Sequence, residues 1–298
     1  MNNYLLGIAL SFIGPIMHAW ANIIDNYFTN VFKRLEVLVL ISQIFGLLLI
    51  PIVAYLDPPH FVSVKFLVIL FIIAFIEILY LFPYYYSLRH ADTSVVAALF
   101  SVGKLFVPLF AFLFINEQLS TSQYIGFFIL TLSSIILSMD FEEMKLSKAF
   151  VAMLLVSMML AAQSILLKYV YQSGVGWGSS VLWMNLFQFF IALVFCLPPK
   201  NFQDLFVSIT KIKSVGKLFF LSEILSWGGT LSGYYALSFI PVSISKAIGS
   251  TQPVFVLMYA LLFIKIAPKM FKEYLGKDGV VKKIALFIFT IIGVILMK

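Results

Sequence analysis

Apolar residues run along this chain in long unbroken stretches rather than in alternation with polar ones. Ten stretches can be marked: 4–28, 36–56, 65–88, 92–115, 120–139, 147–171, 178–197, 215–238, 241–264 and 280–297. Each is close to the roughly 20 apolar residues that carry a helix across the hydrocarbon core. The breaks hold turn formers and charge, as in "DPPH" at 57–60, "NEQLSTSQ" at 116–123 and "PPKNFQD" at 198–204. A β-barrel strand would alternate lipid-facing and lumen-facing residues, and these runs do not. The first stretch lacks the basic leader of a signal peptide and continues past Ala19, so it reads as a first membrane helix.

Composition agrees with that pattern. Of 298 residues, 62% are hydrophobic and 11% charged, against about 25% charged in soluble domains. The chain reads as a multi-pass integral membrane protein of a cytoplasmic (inner) membrane. The net charge of +7 points to cytoplasmic loops rather than to nucleic acid. Most Lys/Arg fall in the odd-numbered connections, including Lys33, Arg34, Lys145 and Lys272, which puts those loops in the cytoplasm. The single cysteine, Cys196, excludes an intramolecular disulfide and a cysteine metal cluster.

The two halves echo each other. Tyr85-Tyr86-Ser87-Leu88 returns as Tyr234-Tyr235-Ala236-Leu237, and "EIL" at 77–79 returns at 223–225. Five segments per half means that the second half enters from the opposite side. The expected fold is therefore all-α, with ten transmembrane helices as two inverted five-helix repeats, 1–143 and 144–298. Such repeats belong to transporters with a site near the midplane.

On these features the chain resembles the ten-helix drug/metabolite transporter superfamily, in its EamA-like form. The resemblance lies in "YYSLRHADTSVVAALFSVGKLFVPLFAFLFINEQLS" and its second-half counterpart "YYALSFIPVSISKAIGSTQPVFVLMYALLFIK". The Gly-Glu usual in the family at the end of segment four stands here as Asn116-Glu117, and the matching acid near Lys265 is absent. The resemblance implies a cavity surrounded by segments one, three, four, six, eight and nine.

Polar residues fall on those same segments, in stripes at the helical period. Segment one carries Ser11, Pro15, His18, Asn22 and Asp25; segment three, Glu77, Tyr80 and Tyr84. Segment four carries Ser94, Ala97, Ser101, Lys104 and Pro108, and segment six Ser157, Ser164 and Lys168. Segment eight carries Glu223, Trp227, Thr230 and Tyr234, and segment nine Ser243, Lys246, Ser250 and Pro253. The other segments are plainer, with Gln43, Asn185 and Gln188 as exceptions. Soluble-enzyme signatures are missing: "GVGWGSS" is no phosphate loop, and no catalytic triad or metal set is visible. The protein is not expected to be an enzyme or to need a cofactor.

An ammonium at mid-helix costs several kcal/mol unless it is compensated. Lys104 therefore either pairs with Glu77 or meets an anionic ligand. Glu223 has fewer partners at its depth and is the better coupling group, because a carboxyl in low dielectric can exchange a proton. Lys246, near Pro241, can snorkel to the interface. Asp25 and Lys168 read as mouth or interface charges, and His18 as a substrate contact or a packing residue. Trp20, Tyr84, Tyr85, Trp227, Tyr234 and Tyr235 are either packing or an aromatic cage. The expected ligand set is Lys104, Glu77, Glu223, His18, Asn22, Trp20, Tyr84, Trp227, Tyr234, Ser101, Ser250 and Lys246. The expected function is secondary transport of a small polar or zwitterionic, amino-acid-like metabolite by alternating access. The proton is the expected coupling ion, lipids the surroundings, and the protein a monomer or weak homodimer without nucleic acid. The alternatives are an exporter of organic cations or drugs, and a lipid-handling membrane subunit without transport.

Overall fold

The computed structural model describes residues 3–31, 35–90, 100, 102–138, 148–263 and 280–297. Ser94, Ala97, Ser101 and the basic loops around Lys33, Lys145 and Lys272 lie outside them. Helix dominates the rest: α1 (Asn3–Val31), α2 (Leu35–Leu56), α3 (Val64–Leu79) and α4 (Leu81–His90) come first. A 3-10 turn at Gly103–Phe106 leads into α5 (Val107–Ile115), followed by α6 (Thr121–Ser138) and α7 (Lys148–Gln172). Then come α8 (Trp177–Cys196), α9 (Pro199–Ala236), α10 (Val242–Gly249), α11 (Gln252–Phe263) and α12 (Val280–Leu296).

Among the described residues six stretches are long and apolar enough to cross a membrane: 3–25, 35–56, 64–87, 151–172, 177–196 and 242–263. Their outer faces carry exposed apolar side chains such as Leu48, Val194 and Leu262. Water would penalise such a belt, whereas lipid does not. The chain is a multi-pass integral membrane protein.

Three predicted segments differ in detail. Segment eight begins much earlier than 215, because Pro199 stands at the first turn of α9, where a missing N–H and a fixed φ suit a helix start. The expected loop at 198–204 is thus mostly helix. Segment nine divides into α10 and α11 around Ser250 and Thr251, just ahead of Pro253, whose ring opposes continuation of the preceding turn. Segment four carries its own irregularity, the 3-10 turn, at Lys104. There Gly103 lies flat against the backbone of Ser157, with no room for a Cβ.

Helices of the first half pack on helices of the second. α1 lies against α9, α2 against α8, α3 against α7 and α8, and α6 against α12. In lipid such contacts depend on close packing and interhelical hydrogen bonds, which small residues permit. At the α6–α12 crossing a Cβ on Gly126 would stand 2.8 Å from the Gly293 carbonyl oxygen, and one on Gly293 3.1 Å from that of Gly126. On α9 the run "GGTLSG" (228–233) serves the α1 contact: Gly228 meets Met17, Gly229 meets His18, and Ser232 Oγ donates to the Leu10 carbonyl at 2.8 Å.

Two corners between helices are tied by side chains. Asp57 Oδ2 accepts the Gly178 N–H at 2.7 Å, capping α8. Glu117, just past Asn116 in its left-handed conformation, accepts Val242 N–H at 2.7 Å and Ser243 N–H at 2.9 Å, one on each oxygen. These are amides at the start of α10, which have no partner within that helix.

Candidate functional site

A cavity of about 280 Å³ opens between the halves. Its wall comes from α1, α3, α4, the 3-10 turn, α7, α9 and α10, joined by Ser42 and Gln43 of α2 and Gln188 of α8. His18, Asn22, Glu77, Tyr84, Lys104, Glu223, Trp227, Tyr234 and Lys246 all line it.

Trp20 does not. Two residues beyond His18 on a helix of about 100° per residue, it faces away from the cavity. It packs there on Tyr259 and Phe263 at centroid distances of 4.9 and 5.1 Å. Ser250 also lies off the wall: fully buried, it turns back and donates to the Lys246 carbonyl at 3.1 Å. Asn185, of the plainer segments, donates to the Gly46 carbonyl at 3.3 Å instead of facing the cavity. Ser101 is outside the described residues.

The cavity has two poles. One holds Lys104, Lys246, His18 and Glu77. The Glu77 carboxylate takes the hydroxyl hydrogen of Tyr234, and Gln163 Nε2 reaches the Tyr234 hydroxyl oxygen at 3.4 Å. Lys246 is the cation whose charge acts on Glu77. Lys104 and Lys246 act on each other and on His18. Lys104 Nζ comes within 3.7 Å of where a Cβ on Gly249 would stand. Of the two alternatives for Lys104, the Glu77–Lys104 ion pair does not form: among the described residues neither lysine has a carboxylate at salt-bridge distance, and Glu77 takes the Tyr234 hydroxyl. Lys246 lines the cavity rather than snorkelling outward.

The other pole holds Asp25 and Glu223. Ser222 Oγ donates to Asp25 Oδ1 at 3.1 Å, and Ser42 Oγ to Glu223 Oε2 at 2.7 Å. Trp227 Nε1 donates to the Ser42 carbonyl at 3.2 Å, fixing the turn that presents that hydroxyl. Tyr84 donates to Asn22 Oδ1 at 3.1 Å and lies about 5 Å, ring to ring, from both Tyr85 and Phe100. Asp25 is a wall residue, not a mouth charge. Its position one turn beyond Asn22 on the α1 stripe already pointed inward.

Lys168 lies off the cavity wall. Its Nζ donates to the carbonyls of Leu237 at 2.7 Å and Ile240 at 2.8 Å, closing the corner between α9 and α10. Among the described residues no group of three or more His, Cys, Asp or Glu is gathered as a metal site would require.

No curated protein matches the chain. A crystal structure described only as that of a protein is similar in fold, with a TM-score of 0.63 at 14% identity over 97% of this chain and 97% of that one. The model of the EamA-like transporter family matches residues 5–139. Over residues 5–139 the chain is thus similar to the EamA-like transporter family, which is part of the drug/metabolite transporter superfamily.

Proposed function

We propose that the protein is a ten-helix secondary transporter, built as two inverted five-helix repeats that meet near residue 143. It moves a small zwitterionic, amino-acid-like metabolite across an inner membrane by alternating access. The observation that carries this reading is the pair of lysines. Lys104 and Lys246 share one cavity with no carboxylate at salt-bridge distance among the described residues. An ammonium facing a cavity in the membrane interior without a counter-charge is costly, and an anionic ligand group compensates both at once. Glu77, already held by Tyr234, stands at the same pole to receive the ligand's ammonium. A volume of about 280 Å³ is at the small end of ligand pockets, roughly 300–1,000 Å³. It suits a metabolite and not a bulky drug.

Glu223 is the proton-coupling group in this reading. Transport runs without a cofactor, and no catalytic step is required of any residue. A carboxylate-free organic cation matches the aromatic wall but leaves the two lysines uncompensated. The test is uptake of labelled amino acids into liposomes holding purified protein, with and without a pH gradient. Flux should fall at least a hundredfold in Lys104→Ala of normal monodispersity. Undiminished flux in that variant, or activity only toward lipids, would overturn the proposal. Proton-driven accumulation that survives Glu223→Gln would remove the coupling role alone.

A further inference from the structure

The acidic pole has acceptors in excess. Asp25 and Glu223 each take a neutral hydroxyl, and among the described residues no cation pairs with either. Their charges act on each other. Gln43 and Gln188, 5% and 3% exposed, both line the cavity. Each has a buried Oε1 that no donor reaches. Two amide oxygens without a donor, on residues of the wall that also carries two carboxylates, leave acceptors in excess.

The two poles lie at different depths. Gly229 meets His18 at the lysine pole, and Ser222 meets Asp25 at the acidic one. Seven residues separate the levels on α1 and on α9 alike, and at 1.5 Å per residue that is about 10 Å along the helices. The α-carboxylate and α-ammonium of one amino acid are too close together to serve both poles.

Resting on the transport reading above, we propose that the Asp25–Glu223 pole is a second subsite, for an organic cationic group. The substrates are then amino acids whose side chain ends in an amine or a comparable cation. The α-carboxylate meets Lys104 and Lys246, the α-ammonium meets Glu77, and the side-chain cation reaches Asp25 and Glu223. The rings of Tyr84, Tyr85 and Phe100 at this pole favour an organic cation, which attracts aromatic faces. A compact metal ion asks for about six oxygen ligands, and two carboxylates on separate helices flanked by rings offer fewer.

The experiment measures binding of L-lysine, L-ornithine, L-norleucine and sodium ion to the purified full-length protein by thermal stabilisation. Lysine and ornithine should bind at least tenfold tighter than norleucine, which has the same zwitterion without the terminal amine. That ratio should fall to about one in Asp25→Asn and in Glu223→Gln, and persist in Trp20→Phe, whose site is outside the cavity. The ratio in the unmodified protein is decisive even if a variant does not fold. Equal binding of lysine and norleucine overturns this subsite but leaves the transport reading intact. So does stabilisation by sodium alone that is lost in Asp25→Asn. Binding of neither amino acid overturns both.

Discussion

Two places in this molecule hold charge in an apolar setting, and they treat it differently. At the α9–α10 corner Glu117 and Lys168 are satisfied by backbone. The carboxylate takes two helix-start amides and the ammonium two helix-end carbonyls, all at 2.7–2.9 Å. In the cavity, among the described residues, Lys104 and Lys246 have no carboxylate at salt-bridge distance, and Glu77, Asp25 and Glu223 take neutral hydroxyls rather than cations. The first arrangement is complete within the protein. The second, in the function proposed above, becomes complete only when a ligand enters. A charge at a helix terminus is therefore structural here, and a charge on the cavity wall is proposed to meet a ligand.

Substitutions that separate the two places should give opposite signatures. The largest effect is expected from Lys246→Met, which should cut liposome flux of a zwitterionic substrate a hundredfold or more, as Lys104→Ala should, while the protein melts as before. Next comes Glu117→Ala. Two amides lose a charged acceptor, and with charge-assisted hydrogen bonds at about 1.5–3 kcal/mol each the loss should be roughly 3–6 kcal/mol. Thermal unfolding in detergent should show it as a fall of several degrees, with substrate affinity unchanged in the folded fraction and partial recovery in Glu117→Gln. Lys168→Met should cost less, about 1–2 kcal/mol, since its apolar stem can still pack while the carbonyls lose their donor. Trp20→Phe should be the mildest, below about 1 kcal/mol, because two aromatic contacts on Tyr259 and Phe263 survive in smaller form.

Much of the architecture was legible in the sequence because lipid imposes one rule: an unbroken apolar run of about 20 residues becomes a helix. The inward stripes were legible for a related reason, since a polar residue on a lipid-facing side is penalised. His18, Asn22 and Asp25 fall in line on α1 with the helical period and arrive on one wall. What periodicity cannot give is the partner. Glu77 and Lys104 stand on adjacent segments and invite pairing, yet Tyr234, distant in sequence, reaches Glu77 first. Lys168 looks like an interface charge and Glu117 like no more than the acid that ends segment four, because their ligands are backbone groups, which leave no trace in side-chain patterns. Trp20 shows the opposite failure: its chemistry suits a cage, but its angle around α1 sends it to Tyr259. The division of segment nine at Ser250–Thr251 was only hinted at, by Pro253.

The difference between the two places reduces to one measurement, the melting temperature of Lys104→Met without ligand and with saturating zwitterion. An unpaired ammonium on the cavity wall replaced by an apolar side chain of similar length should leave the unliganded protein as stable as before or more so. The ligand-induced rise in melting temperature should vanish. A variant that melts several degrees lower without ligand, as Glu117→Ala should, and still gains stability from the ligand would contradict the account.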